Sequence, residues 1–185
     1  MKRTYSVLIA LIVLSMVACK SNTEKEETAI TKKVEELKVL KPLQDNDMKK
    51  FLPKTLGETK RGNIILTNFV GKMVFAVYST KEHEDFKVFI TDCAGKKGAN
   101  KYVLNYVAHL AVEDNMPEAK AEEKRTTQKQ YDFAGGKAIA FYSPLTKAYS
   151  FVYMTKGRLH VGVEGPPDAT IEEVMTFATN LNAKL

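Results

Sequence analysis

Nucleophilic catalysis needs a thiol or hydroxyl beside a base, with a carboxylate to orient that base. Cys93, with Asp92 beside it and His109 and His160 as candidate bases, supplies the residue types. The spacing supplies no motif, since neither Gly-x-Ser-x-Gly nor a papain-type cysteine sequence surrounds any of them. His160 alternates with Leu159 and Val161, the pattern of a histidine on a strand face. A metal centre needs three or four converging ligands. His83, His109 and His160 are the only histidines, fall in different predicted elements, and form no His-x-x-x-His pair. His83 lies in the polar run Lys81-Glu82-His83-Glu84-Asp85, which reads as a solvent-exposed turn offering a weak divalent-ion site at most. Between Ala94 and Asn100, Gly95 and Gly98 bracket Lys96 and Lys97 ahead of a predicted helix. Such a turn can present backbone N–H groups and positive charge to an anion. Lys96, Lys97 and Gly98 are thus the candidate ligand or anion contacts. Gly-x-x-x-x-Gly-Lys-Ser/Thr is absent, and a solvated turn explains the same residues.

Other residues act as an address. Lys2 and Arg3 precede the unbroken apolar run Val7–Leu14, and small residues lead to Cys19. That order is an export signal, too short to span a bilayer. Met16-Val17-Ala18-Cys19 resembles the lipobox of bacterial lipoproteins, with Met16 where leucine is usual. The resemblance implies cleavage after residue 18 and diacylation of the Cys19 thiol, which then heads the mature chain. Lys20 in place of the aspartate often used for inner-membrane retention implies the outer membrane. At about 0.8 kcal/mol per buried methylene, two or three acyl chains anchor a domain that itself stays in water. With Cys19 acylated, Cys93 is left without an intramolecular partner, as befits a small buried residue at a strand end.

Composition narrows the rest. The 185 residues are 44% apolar, 27% charged and 9% aromatic, an ordinary globular make-up for one domain. Taking Lys2 and Arg3 from 28 basic residues leaves 26 against 22 acidic ones, a mild net charge of +4. Lysines interleave with glutamates and no basic stripe with stacking aromatics is present, so nucleic acid is not an expected partner. No cofactor motif is present, and none is expected.

Residues 19–44 read as the acylated cysteine and a polar tether. The run Ser21–Thr28 has too little apolar surface to order itself, although Ile30, Val34 and Leu37 have helical spacing up to Pro42. Residues 45–185 read as one domain. A short helix over Met48–Leu52 precedes strands at Asn63–Val70, Lys72–Thr80 and Phe86–Asp92. The stripe Val103, Val107, Leu110 predicts a helix over Asn100–Val112, followed by a charged loop over Glu113–Arg125. Four strands follow, at Thr127–Phe133, Lys137–Tyr142, Tyr149–Thr155 and Arg158–Glu164. Thr170-Ile171-Glu172-Glu173 is a capping box opening a last helix with Ile171, Val174, Ala178 and Leu181 on one face. The expected class is α+β, a single domain with a mostly antiparallel sheet of about six to seven strands and two to three helices. Tyr149, Phe151 and Tyr153 share a strand face, as helix-packed core or, if uncovered, as a binding patch.

Four blocks carry a resemblance across most of 47–185: Phe51-Leu52-Pro53-Lys54-Thr55 with Gly57, Lys60 and Arg61; Ile90-Thr91-Asp92 with Gly95; Tyr131-Asp132 with Gly136, Lys137 and Tyr142; and Val161-Gly162-Val163-Glu164-Gly165 leading to the last helix. In this order they resemble a group of uncharacterised bacterial exported proteins and lipoproteins. The order of elements is also similar to the PsbP and Mog1 families at the level of fold, which implies no activity. The expected function is therefore a non-enzymatic, lipid-anchored outer-membrane protein, attached through acyl chains on Cys19 and binding an envelope protein or small ligand. The competing expectation is an envelope enzyme using Cys93 with a histidine.

Overall fold

The computed structural model describes residues 27–68, 71–80, 85–112, 114, 126–167 and 169–185. Helix α1 covers 27–39. The chain divides into two units, Met1–Glu36 and Leu37–Leu185. Within the first, the described residues 27–36 are helical and mostly exposed, with a Lys33–Glu36 ion pair one turn apart. The second begins ahead of the expected boundary at 45, because Leu37 is buried and the Leu43 N–H donates to Asp92 inside the domain.

Helix α2 (Asp45–Lys50) is followed by β1 (Thr55–Leu56), β2 (Thr59–Arg61), β3 (Ile65–Thr67), β4 (Lys72–Ser79) and β5 (Phe86–Asp92). Helix α3 (Gly95–Tyr102) runs into a π-helical turn (Val103–Val107) and α4 (Ala108–Leu110). Strands β6 (Thr127–Phe133), β7 (Gly136–Ser143), β8 (Ala148–Thr155) and β9 (Leu159–Glu164) precede α5 (Ile171–Asn182). All strands join one antiparallel sheet in the order β1-β2-β4-β5-β9-β8-β7-β6, with β3 also on β4. The class is α+β, as expected. The nine strands exceed the expected six to seven because the short hairpin β1–β2 carries too few residues to show an alternation.

Period two divides the sheet into faces. One carries Val74, Ala76, Tyr78, Val88, Ile90, Phe151, Tyr153, Val161 and Val163, all fully buried. Helix α5 covers it with Val174, Phe177, Ala178 and Leu181, at the i, i+3, i+4, i+7 spacing of one helical stripe. Phe177 stacks on Phe86 at 4.2 Å and meets Tyr78 edge-on at 5.6 Å. Tyr149, Phe151 and Tyr153 are therefore core, not a patch. The capping box forms as read: the Glu173 N–H donates to Thr170 Oγ1, and the Thr170 N–H donates to Glu173 Oε2. A cap of this kind contributes about 1 kcal/mol.

The opposite face carries Phe89, Thr91, Ile139, Phe141, Val152, His160 and Gly162 by the same alternation. The helical segment from Gly95 to Leu110 lies on part of it. Tyr106 donates its hydroxyl to the Lys137 carbonyl at 2.6 Å, and His109 meets the Phe141 ring edge-on at 4.8 Å. Gln128 and Gln130 donate side-chain N–H groups to the carbonyls of His109 and Leu110, closing the helix end. The segment starts five residues before the expected Asn100 because Gly98 permits it. A Cβ there would stand 2.4 Å from the Cys93 carbonyl carbon, so only glycine lets the helix back onto the strand end.

Candidate functional site

Cys93 and Asp92 do not form a catalytic pair. Cys93 is fully buried. Burial, then the neighbouring Asp92 carboxylate, pushes its thiol up to about 12, against smaller opposing effects of the His160 backbone N–H and Arg158. An activated thiol is shifted the other way. Asp92, also fully buried, is committed to structural partners. Arg158 grips it in a fork, Nε to Oδ1 at 2.8 Å and Nη2 to Oδ2 at 2.7 Å. The Leu43 and Ala94 N–H groups donate to the same carboxylate at 2.8 and 3.1 Å. Arg158 Nη2 also donates to the Lys41 carbonyl at 2.9 Å. One ion pair therefore ties the end of β5 and the β8–β9 turn to the segment 41–43, and no histidine takes part.

The fold does bring two of the histidines to one face. His160 on β9 lies with its ring 6.5 Å from Tyr106, and His109 lies on the helix above Phe141. Nε2 of His160 is buried without a hydrogen-bond partner among the described residues. Burial lowers its pKa to about 4, helped by the positive charge available to His109 and Lys101. The imidazole is neutral at physiological pH. His83 lies outside the described residues, and no cluster of three or more metal-ligating side chains occurs among the described residues.

Beside His160, the same sheet face opens into a groove of about 240 Å³. Strand register explains it. Phe89, Gly162 and Val152 stand side by side on β5, β9 and β8, so the central position has no side chain between two large ones. A Cβ on Gly162 would reach Val152 Cγ1 at 3.6 Å and Phe89 Cβ at 4.0 Å, ordinary contact, so the space is vacant and not needed for packing. Met73 extends this apolar floor, while Thr91, Ser150, Asn105 and His160 supply polar groups around it. Glu164 at one end is paired with Lys87 at 2.6 Å. A few polar groups around an apolar floor is the usual make-up of a small-ligand site. A larger hollow of about 530 Å³ lies at the hairpin 132–137. Its wall is the turn itself and the exposed Lys137–Asp132 pair, so it gathers no converging groups.

The expected anion-binding turn is the first part of α3. Lys96 and Lys97 are exposed, whereas Gly98 is buried against Cys93. The three do not converge on one point. Cys19 lies outside the described residues. Sequence reasoning missed the groove and the Asp92–Arg158 clasp. Gly162 between Val161 and Val163 in the strand interior was the available signal for the groove, because glycine there marks a close approach or a gap. Nothing local pairs Asp92 with Arg158, 66 residues apart. No known family, curated protein or solved structure matches this chain.

Proposed function

We propose that this chain is a lipid-anchored cell-envelope protein of the outer membrane, held by acyl chains on Cys19, whose α+β domain is a non-catalytic module binding a small ligand. The observation that carries the binding role is the groove over Gly162, an apolar floor with Thr91, Ser150, Asn105 and His160 around it. The lipobox-like Met16–Cys19 carries the anchoring. The competing reading, an enzyme built on Cys93, would need a thiol shifted down and a carboxylate facing a histidine. Here the thiol is raised and Asp92 faces Arg158. The expected fold-level resemblance to PsbP and Mog1 domains would carry no activity onto these residues.

A fragment screen read by methyl NMR tests the binding role. Ligands of the groove should shift the Met73 and Val152 methyl signals together, and Gly162→Leu, which fills the gap, should abolish those shifts while leaving the folded spectrum intact. A library whose binders all leave Met73 and Val152 unmoved would overturn the reading.

A further inference from the structure

Resting on the lipid-anchored reading, we propose that the outer face of the helix beginning at Gly95 is a membrane-docking surface, laid by Lys96, Lys97, Lys101 and Leu104 against anionic phospholipid headgroups. The segment Gly95–Leu110 carries three lysines and a histidine and has no aspartate or glutamate, in a chain where the two signs otherwise alternate closely. Lys97, Lys101, Leu104 and Ala108 fall on one stripe, opposite the buried Gly98, Ala99, Tyr102 and Tyr106. Leu104 is 64% exposed in the middle of that stripe. Lys96, Lys97 and Lys101 form no ion pair among the described residues. Lys96 and Lys97 also occupy the first helical turn, where the backbone dipole disfavours positive charge and no acidic residue compensates it. Uncompensated cations beside an exposed leucine suit an interface of phosphates over acyl chains.

Segment 41–43 of the domain packs beside the start of the same helix. Within the domain, which begins at the buried Leu37, the Asp92–Arg158 pair holds Lys41-Pro42-Leu43 in place. Pro42 lies directly against the start of the helix, its Cγ 3.2 Å from where a Gly95 Cβ would stand. The β7–β8 turn with Leu145 lies at the other end of the sheet, since Asp92 pairs with Leu159 while Ser143 pairs with Ala148.

The test uses the full-length protein purified from bacterial membranes and reconstituted into vesicles. A Cys93→Ser background receives an environment-sensitive fluorophore at Leu104→Cys or, as control, at Leu145→Cys, with spin-labelled lipid as quencher. Phosphatidylglycerol-containing vesicles should quench the probe at position 104 and not at 145, and added salt should relieve the quenching. Pure phosphatidylcholine should quench neither. Each Lys→Gln change at 96, 97 or 101 should weaken docking roughly fivefold, on the order of a hundredfold for all three. An acylated protein whose position-104 probe is unquenched, or is quenched equally in the triple variant, overturns the docking surface and leaves the anchor standing. A protein with no acyl group by mass overturns both.

Discussion

Protonation of His160 should set the acid stability of this domain. An unperturbed histidine titrates near 6.5 and His160, half-buried on β9 with its Nε2 out of solvent, near 4. Because the folded-state value is the lower, the unfolded chain binds the extra proton first as pH falls. Stability is thus fully present above about 6.5 and declines steadily down to about 4. The linkage amounts to on the order of 3 kcal/mol over the whole range, and about 2 kcal/mol at pH 5, a large part of a domain's total. Urea denaturation at several pH values between 8 and 4.5, run on the wild type and His160→Gln, isolates this contribution, since carboxylates titrate in both proteins. The wild type should lose about 2 kcal/mol more than the variant between pH 8 and 5. Parallel stability curves would refute the desolvated, neutral histidine.

Three further outcomes follow from the packing. Arg158→Ala leaves Asp92 buried without its cation and should destabilise by about 3–5 kcal/mol in urea melts, with a loss under 1 kcal/mol contradicting the clasp. Gly98→Ala forces a Cβ against the Cys93 backbone and should lower stability by about 1–3 kcal/mol, whereas Gly162→Ala, which meets only ordinary contacts, should be close to neutral. Equal losses at the two glycines would count against this account. Cys93 in the folded protein should react with a thiol reagent only after denaturant is added. Immediate labelling in buffer would revive the case for a working thiol.

The elements with strong local signals were legible in the sequence. Alternation in Lys72–Ser79 and Phe86–Asp92 gave β4 and β5, and Thr170 with Glu173 gave the start of α5 within a residue. Helix α3 was displaced because Gly95 and Gly98 carry the local signature of a turn. Their role there is tertiary, since Gly95 adopts a positive φ against Pro42 and Gly98 closes on Cys93. Several residues of the four sequence blocks also have tertiary roles. Asp92 and Gly95 anchor the segment 41–43, Arg61 donates to the Leu52 carbonyl, and Gly165 admits Val174. The groove was hidden because it gathers residues of β4, β5, β8, β9 and the helical segment, whose register no local pattern sets, and its defining feature is the side chain that Gly162 lacks.

The proposed anchoring of this domain through Cys19 stands or falls on the mass of the N-terminal peptide. Protein expressed in a bacterial host with an intact lipoprotein pathway should yield a mature terminus at Cys19 carrying two or three acyl chains, found in the outer-membrane fraction. The Cys19→Ala variant should carry none and should leave that fraction. An unmodified Cys19, or a terminus elsewhere, would contradict it.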